Sequence, residues 1–311
     1  MLFLSEAEVR RLLDLDRLLD RLATAFVELS AGRASVPARI AARSADGLLG
    51  AMPGYLDGIL ETKLVSVFPG NHDRGLPSHQ ALIALFDAGS GTPLAVMDGT
   101  HITAARTGAA TAVSTRVLAR PDARVLAVLG AGVQGRSHLL AHARVRDFSE
   151  VRVASRNPQH ARALAAEFGA TASPSFEAAA RGADVVCFCT DATSPFSEPG
   201  WFAPGAHVTS VGSSAGGPEL DPGTIRAADL LIVEHRDAFK PYPGGAHELQ
   251  GLDPALAAEL GEVIAGSRPG RTSPEQLTVY KSMGHAVEDA VAADLVYRAA
   301  REQRIGTEVA L

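Results

Sequence analysis

Three cations fall in segments whose other residues are apolar or small. Arg39 follows Pro37-Ala38. Lys63 sits in Thr62-Lys63-Leu64-Val65-Ser66-Val67, a strand-like run where a charge is out of keeping with its neighbours. Arg106 lies in Thr103-Ala104-Ala105-Arg106-Thr107-Gly108, a run of small residues that invites close packing. A buried charge without a partner is expensive, and an anionic ligand would be such a partner. Two arginines can grip a carboxylate in bidentate fashion. Neighbouring arginines would also lower the pKa of Lys63 and make it a better proton donor near neutrality. Taken singly, each cation is equally well explained as a structural ion pair or a snorkelling side chain, and spacing alone does not overturn that.

A second constellation is local. Val125-Leu126-Ala127-Val128-Leu129 runs straight into Gly130, Gly132 and Gly135, and an amphipathic segment from Arg136 to Val145 follows. This reads as a buried strand, a tight glycine turn and the first turn of a helix. The unpaired N–H groups and dipole of such a helix start favour a dinucleotide pyrophosphate. The strand before and the helix after supply the context that the bare glycine spacing lacks. At the end of the next strand, where an NAD-specific fold carries an acid, the chain reads Ala154-Ser155-Arg156-Asn157, with His160 one turn on. No acid stands in that stretch to repel a 2′-phosphate, and Arg156 can offer a guanidinium fork. NADP(H) is therefore the preferred cofactor, with NAD(H) possible.

These residues need elements to hold them. The 311 residues, 46% hydrophobic and 21% charged, suffice for two domains with sizeable cores. A net charge of −6 argues against a nucleic-acid or membrane-surface footprint. The sequence lacks a bilayer-length apolar run and a signal-peptide pattern, which points to a cytoplasmic protein. Cys187 and Cys189 read as core hydrophobes, and no metal site is expected. His138 and His142, four apart on one helix, have zinc-like spacing but read better as a surface pair.

The expected fold is α/β: a Rossmann doubly wound parallel sheet plus an α+β N-terminal domain for substrate and dimerisation. Residues 1–119 form the latter, completed by about 285–311, and residues 120–284 form the former. Ser5 to Glu8 reads as a capping box, and leucines from Leu12 to Leu29 as helical. Ala38–Ser44 and Leu48–Met52 make a hairpin around Asp46-Gly47. Thr62–Phe68, Ala81–Phe86 and Leu94–Met97 are further strands. Thr103–Leu118 is a helix. Beyond it, strands at Val125, Val151, Val185, His207, Leu230 and Leu277 alternate with helices, including Pro254–Ile264 and Met283–Arg301.

Pro77-Ser78-His79-Gln80-Ala81, Leu94-Ala-Val-Met-Asp-Gly99, Ile102-Thr103 with Arg106-Thr107, and Gly130-Ala-Gly132-Val-Gln134 together resemble the ornithine cyclodeaminase/mu-crystallin family, over nearly the whole chain from Pro37 to Gly284 and Asp289. The resemblance implies a homodimer that acts on a small carboxylate-bearing imine or amino acid. It implies Arg39, Lys63 and Arg106 at the substrate carboxylate, Lys63 as proton donor, and Ser78, His79 and Ser214 lining the substrate region. It implies Arg106, Thr107, Gly130, Gly132, Val133, Gln134, Gly135, Ser155, Arg156, Asn157, His160, Thr190, Val211, Ser213 and Gly284 at the cofactor. Deaminating members carry an Asp after the strand at His207–Val211. Here Ser214 occupies that place, and Asp221, seven residues on, is a possible substitute that reads better as a helix cap, so the resemblance leans toward the ketimine-reductase branch. The other readings are cyclodeamination or alanine-type dehydrogenation, and a non-catalytic NADPH-dependent binding protein. The loop from Tyr242 to Glu248 borders the site or merely connects.

Overall fold

The computed structural model describes residues 1–212, 217–241 and 244–310, of His72 the backbone alone. The chain packs as two compact units, Met1–Arg106 with His285–Leu311, and Thr107–Gly284. From sequence the boundary falls near Arg120, the end of a helix. By packing, the division falls inside that helix.

The first unit begins with strand β1 (Leu2–Leu4). Helices α1 (Glu6–Leu12) and α2 (Leu15–Ser30) follow. Ser5 caps α1 through the expected capping box, and Leu18, Leu22, Phe26 and Leu29 make the buried stripe of α2. Strands β2 (Ile40–Arg43), β3 (Leu48–Leu56), β4 (Ile59–Val67), β5 (His79–Asp87) and β6 (Pro93–Asp98) form an antiparallel meander. β1 joins it in parallel beside β6, and the C-terminal strand Thr307–Glu308 pairs with β1. Neither of these short strands is visible in the periodicity. The β2–β3 hairpin turns at Asp46-Gly47 as expected. A second tight turn, at Asp57-Gly58, joins β3 to β4, and both its residues take positive φ (48° and 79°). The C-terminal helix, Ala286–Gln303, packs on α2 and on the inner face of β3 and β4. Gly54 permits this, because a Cβ there would stand 2.9 Å from the Cβ of Ala286.

Helix α3 (Thr100–Leu118) leads into the second unit. Its small residues allow close packing: a Cβ on Gly108 would lie 2.6 Å from the carbonyl of Ser137. Strands β7 (Val125–Leu129), β8 (Glu150–Ala154), β9 (Thr171–Ala172), β10 (Val185–Phe188), β11 (His207–Ser210), β12 (Leu230–Val233), β13 (Ala257–Glu259) and β14 (Thr278–Lys281) form one parallel sheet. Its order is β13-β12-β14-β11-β10-β7-β8-β9. The chain works outward from β7 in one direction through β8 and β9, then restarts at β10. The carboxyl ends of β7 and β10 thus flank the switch point where doubly wound sheets bind ligands. Helices α4 (Val133–Val145), α5 (Pro158–Phe168), α6 (Phe176–Ala180), α7 (Pro222–Ala227) and α8 (Leu260–Ile264) are the connections. The helix expected over Pro254–Ile264 is not continuous. Ala257–Glu259 pairs with Leu231–Val233 instead, so tertiary pairing overrides the helix propensity of Ala-Ala-Glu. Among the described residues no helix is long and apolar enough to cross a membrane.

The histidine pair on α4 is not a surface pair. His138 and His142 are fully buried, with ring centroids 5.8 Å apart, and each ring meets the carbonyl four residues back. His142 also reaches Thr115 and Cys187, while His207 bridges Ser114 and Thr278. Among the described residues no group of three or more His, Cys, Asp or Glu is placed to hold a metal ion. Cys187 and Cys189 are buried free thiols, and Cys187 is pushed up to about 12 by burial.

Burial holds His138 at about 3 and His142 at about 4, and drives His207 well below its ordinary value. The unfolded chain takes up protons on these rings near pH ~6.5, whereas the fold does not. The stability they permit is complete above pH ~6.5 and is lost as pH falls, at up to about 1.4 kcal/mol per pH unit for each ring. Chemical denaturation at pH 7, 6 and 5 should show this fall. His142→Gln should flatten it.

Candidate active site

Lys63 lies on β4 with its side chain 2% exposed, on the inner sheet face against the C-terminal helix. Its Nζ donates to Asp289 Oδ2 at 2.6 Å. Arg106, on α3, donates from Nε to Asp289 Oδ1 at 3.0 Å and from Nη1 to Glu288 Oε2 at 3.1 Å. Asp289 thus takes one cation on each oxygen. Glu288 also accepts from the backbone N–H of His285 at 2.7 Å and so caps the helix that carries both acids. The buried cations expected to await an anionic ligand therefore already have protein partners. This corrects the simplest sequence argument, since acids supplied by the chain itself offset their desolvation.

Burial, and then the Arg106 charge, lower Lys63 to about 8 against the pull of Asp289. The direction matches the sequence argument, although burial outweighs the arginine. Burial alone would raise Asp289, but Arg106 and Lys63 hold its carboxyl below the usual range. Glu61 stands two residues before Lys63 on the same face of β4 and is 2% exposed. Neither of its carboxyl oxygens has a hydrogen-bond partner among the described residues. Burial, with the Asp289 charge beside it, pushes Glu61 well above the ordinary carboxyl range and favours its neutral form. Two cations then face two carboxylates in balance.

Arg39 is half-buried, one residue before β2. Ile40 pairs with Ala51, and Met52 pairs with Lys63. Extending that register by one position sets Arg39 opposite Met52, two strands from Lys63 in the same row, a backbone separation of about 10 Å. Arginine and lysine side chains span such a gap to meet a shared anion. His79 opens β5 opposite Val67, whereas Ile83 is opposite Lys63. His79 therefore sits about 13 Å along the strand from the Lys63 row. It is exposed, and Ser78 Oγ lies 3.1 Å from its Nδ1.

In the second unit the three glycines of the turn have different roles. Gly130 takes φ +121°, and a Cβ there would meet the Cys189 carbonyl at 2.3 Å. A Cβ on Gly135 would meet the Gly130 carbonyl at 2.0 Å, so these two glycines are required by packing. Gly132 faces open space, makes the N-cap of α4 without a side-chain cap, and precedes an exposed Val133. The first N–H groups of α4 are thus available to an anion. Gln134 carries a buried Oε1 that no protein donor meets among the described residues.

At the end of β8, Ser155 Oγ accepts from the Asn157 N–H, and Asn157 caps α5. Arg156 and His160 are exposed. Arg156 Nη2 lies 2.9 Å from Asp191 Oδ1, an acid brought from beyond β10 that the local reading did not contain. Thr190 donates to Glu219 through both its N–H and its hydroxyl. The Val211 N–H donates to the Phe188 carbonyl, and Gly284, at φ +72°, donates its N–H to Glu234. Thr107 is buried just past Arg106. Asp221 caps α7 as expected. Ser213 and Ser214 lie outside the described residues, as does Tyr242.

Sequence reasoning missed Glu61, Glu288, Asp289 and Glu219. A signal existed for three of them. Glu288 and Asp289 interrupt an otherwise apolar helical run, and Glu61 shares the strand face of Lys63. Nothing local marks Glu219.

The profile of the ornithine cyclodeaminase/mu-crystallin family matches residues 1–304. Ketimine reductase mu-crystallin of Mus musculus is 43% identical over 256 residues, covering 81% of this chain and 80% of that protein. The structure of Thermococcus litoralis Delta(1)-pyrroline-2-carboxylate reductase in complex with NADH and L-proline superposes with a TM-score of 0.93 at 36% identity, over 99% of this chain and 100% of the other. An archaeal alanine dehydrogenase dimer with bound NAD gives 0.91 at 32% identity, over 100% and 99%. With its buried Lys63–Asp289–Arg106 bridge and its open glycine turn, the chain belongs to the ornithine cyclodeaminase/mu-crystallin family.

Proposed function

We propose that this chain reduces the C=N bond of a small cyclic imino acid to the corresponding amino acid, with NADPH preferred over NADH. The observation that carries this reading is the buried Lys63–Arg106 pair on Asp289. It presents a carboxylate-binding, proton-donating face. The glycine turn of the second unit supports a dinucleotide partner, because its space and its uncapped α4 suit a pyrophosphate. When bound, that cofactor supplies the hydride to the imine carbon. Arg39 and Arg106 orient the substrate carboxylate, with Ser78 and His79 at the entry to β5, the strand beside that of Lys63. Lys63 helps anchor it and gives its proton to the imine nitrogen, which makes the carbon more electrophilic. Solvent then reprotonates Lys63. A lysine held near 8 is both charged at neutrality and able to release its proton.

Cofactor preference rests on Arg156, with Ser155, Asn157 and His160 around it. A 2′-phosphate would draw Arg156 from Asp191, an exposed pair of small worth. We assign the working form to a homodimer in the cytoplasm. Ile40, Ala51, Leu64 and Leu82 are successive partners across β2, β3, β4 and β5. Ile40, Leu64 and Leu82 are 70%, 40% and 53% exposed. Such an apolar row suits a second copy of the chain, and the archaeal alanine dehydrogenase relative is a dimer.

Four outcomes follow from these assignments. NADPH oxidation with a cyclic ketimine acid should show kcat/KM falling above pH 8, as Lys63 loses its proton. Lys63→Ala should lose the bulk of turnover and that alkaline limb while still binding NADPH. Unchanged turnover in this variant sinks the proton-donor role. Arg156→Ala should raise KM for NADPH by about 10–100-fold and leave KM for NADH within about twofold, the loss of a charged hydrogen bond to phosphate. Leu64→Glu with Leu82→Glu should halve the mass measured by light scattering, and a wild-type monomer would contradict the assembly.

A further inference from the structure

The carboxyl ends of β10, β11 and β14 are tied by a buried charged network that the reduction mechanism does not use. Glu219, fully buried, accepts from the Thr190 N–H and hydroxyl, each at 2.6 Å, on one oxygen. Its other oxygen accepts from Ser210 Oγ at 2.9 Å and from the Gly212 N–H at 2.6 Å. Every partner of the carboxylate is a donor, which suits the ionised form. Lys281 Nζ donates to Ser210 Oγ at 3.0 Å and to the Gly212 carbonyl, and lies 3.2 Å from Glu248 Oε1. Glu248 also accepts from the Glu219 N–H at 3.0 Å. A Cβ on Gly212 would lie 2.2 Å from Glu219 Cδ, so only glycine fits beside this carboxylate. Two carboxylates and one ammonium leave one net negative charge in a dry site, where it is poorly screened.

The position of this charge gives it a use. The turn at Gly130–Gly135 follows β7, and the Ser155–Asn157 stretch that suits the adenosine half follows β8. The other half of a dinucleotide then extends to the opposite side of β7, over β10 and β11. That half is the nicotinamide. Its ring carries a positive charge when oxidised and none when reduced. We propose that Glu219, held by Ser210 and Lys281 and backed by Glu248, is a positioning residue that fixes Thr190 and Gly212 under the nicotinamide and whose net charge stabilises the ring's oxidised form. The hydride donor is then a stronger reductant when bound than when free, which favours reduction of the C=N bond over the reverse reaction. This inference rests on the dinucleotide reading of the second unit.

Dissociation constants for the oxidised and reduced cofactor, measured by fluorescence and calorimetry on the full chain, test it directly. Glu219→Gln and Glu248→Gln should each cut the preference for the oxidised form by about tenfold, a rise of about 30 mV in the potential of the bound two-electron couple. Thr190→Val, which leaves every charge in place, should weaken both forms together. Glu248→Gln leaves the Thr190 and Gly212 hydrogen bonds intact, so it decides the matter where Glu219→Gln fails to fold. Equal weakening of both forms by Glu248→Gln, or no change in their ratio, overturns the proposal. Wild-type protein that binds neither form overturns the dinucleotide reading instead.

Discussion

Asp289 takes Lys63 on one oxygen and Arg106 on the other, and the first unit is built to make that bridge possible. The acid comes from the C-terminal helix, 226 residues from Lys63 in sequence. Gly54 gives up its side chain so that this helix can lie against β3, and Glu288 both caps the helix and takes the second arm of Arg106. Removing one partner of such a buried set costs far more than the pair contributes to stability, because it strands the remaining charge. The bridge also sets how tightly Lys63 holds its proton. Burial and Arg106 pull Lys63 toward neutrality, while Asp289 keeps the proton on it. Without Asp289 the proton would be held less tightly, and a lysine in water would hold it too tightly to give it up readily.

The second unit solves a different problem. Its glycine turn clears space for an anion, and two of its glycines are dictated by contacts with backbone. The neutral buried histidines around α4 belong to the core rather than to a site. Charge reappears at the strand ends, where Glu219 and Lys281 are bound into a network with Glu248. Both units therefore use buried charged networks to fix polar groups where apolar packing alone offers no directionality.

The parts of this design that are contiguous in the chain were legible in the sequence. Val125–Gly135 shows strand, turn and helix in one stretch, and the alternation of strands with helices after Arg120 implies a parallel sheet. The Asp46-Gly47 hairpin is likewise local. Lys63 and Arg106 stood out because a charge among small or apolar neighbours is costly, yet their partners did not, because nothing local ties Asp289 to Lys63. The histidine pair was misjudged for a related reason: spacing reveals a shared helix face but not which face is buried. Ala257–Glu259 became a strand against its local preference because an edge of the sheet was there to pair with. Asp191 illustrates the same limit, since it meets Arg156 only through the fold.

The most direct measurement is a crystal structure of the chain with NADP⁺ and the amino acid formed by reducing a cyclic imino acid. The account predicts the product carboxylate within hydrogen-bonding distance of Lys63, Arg39 and Arg106, with Asp289 still bridging the two buried cations. A carboxylate bound away from these residues, with Lys63 and Arg106 engaged only by Asp289 and Glu288, would contradict it.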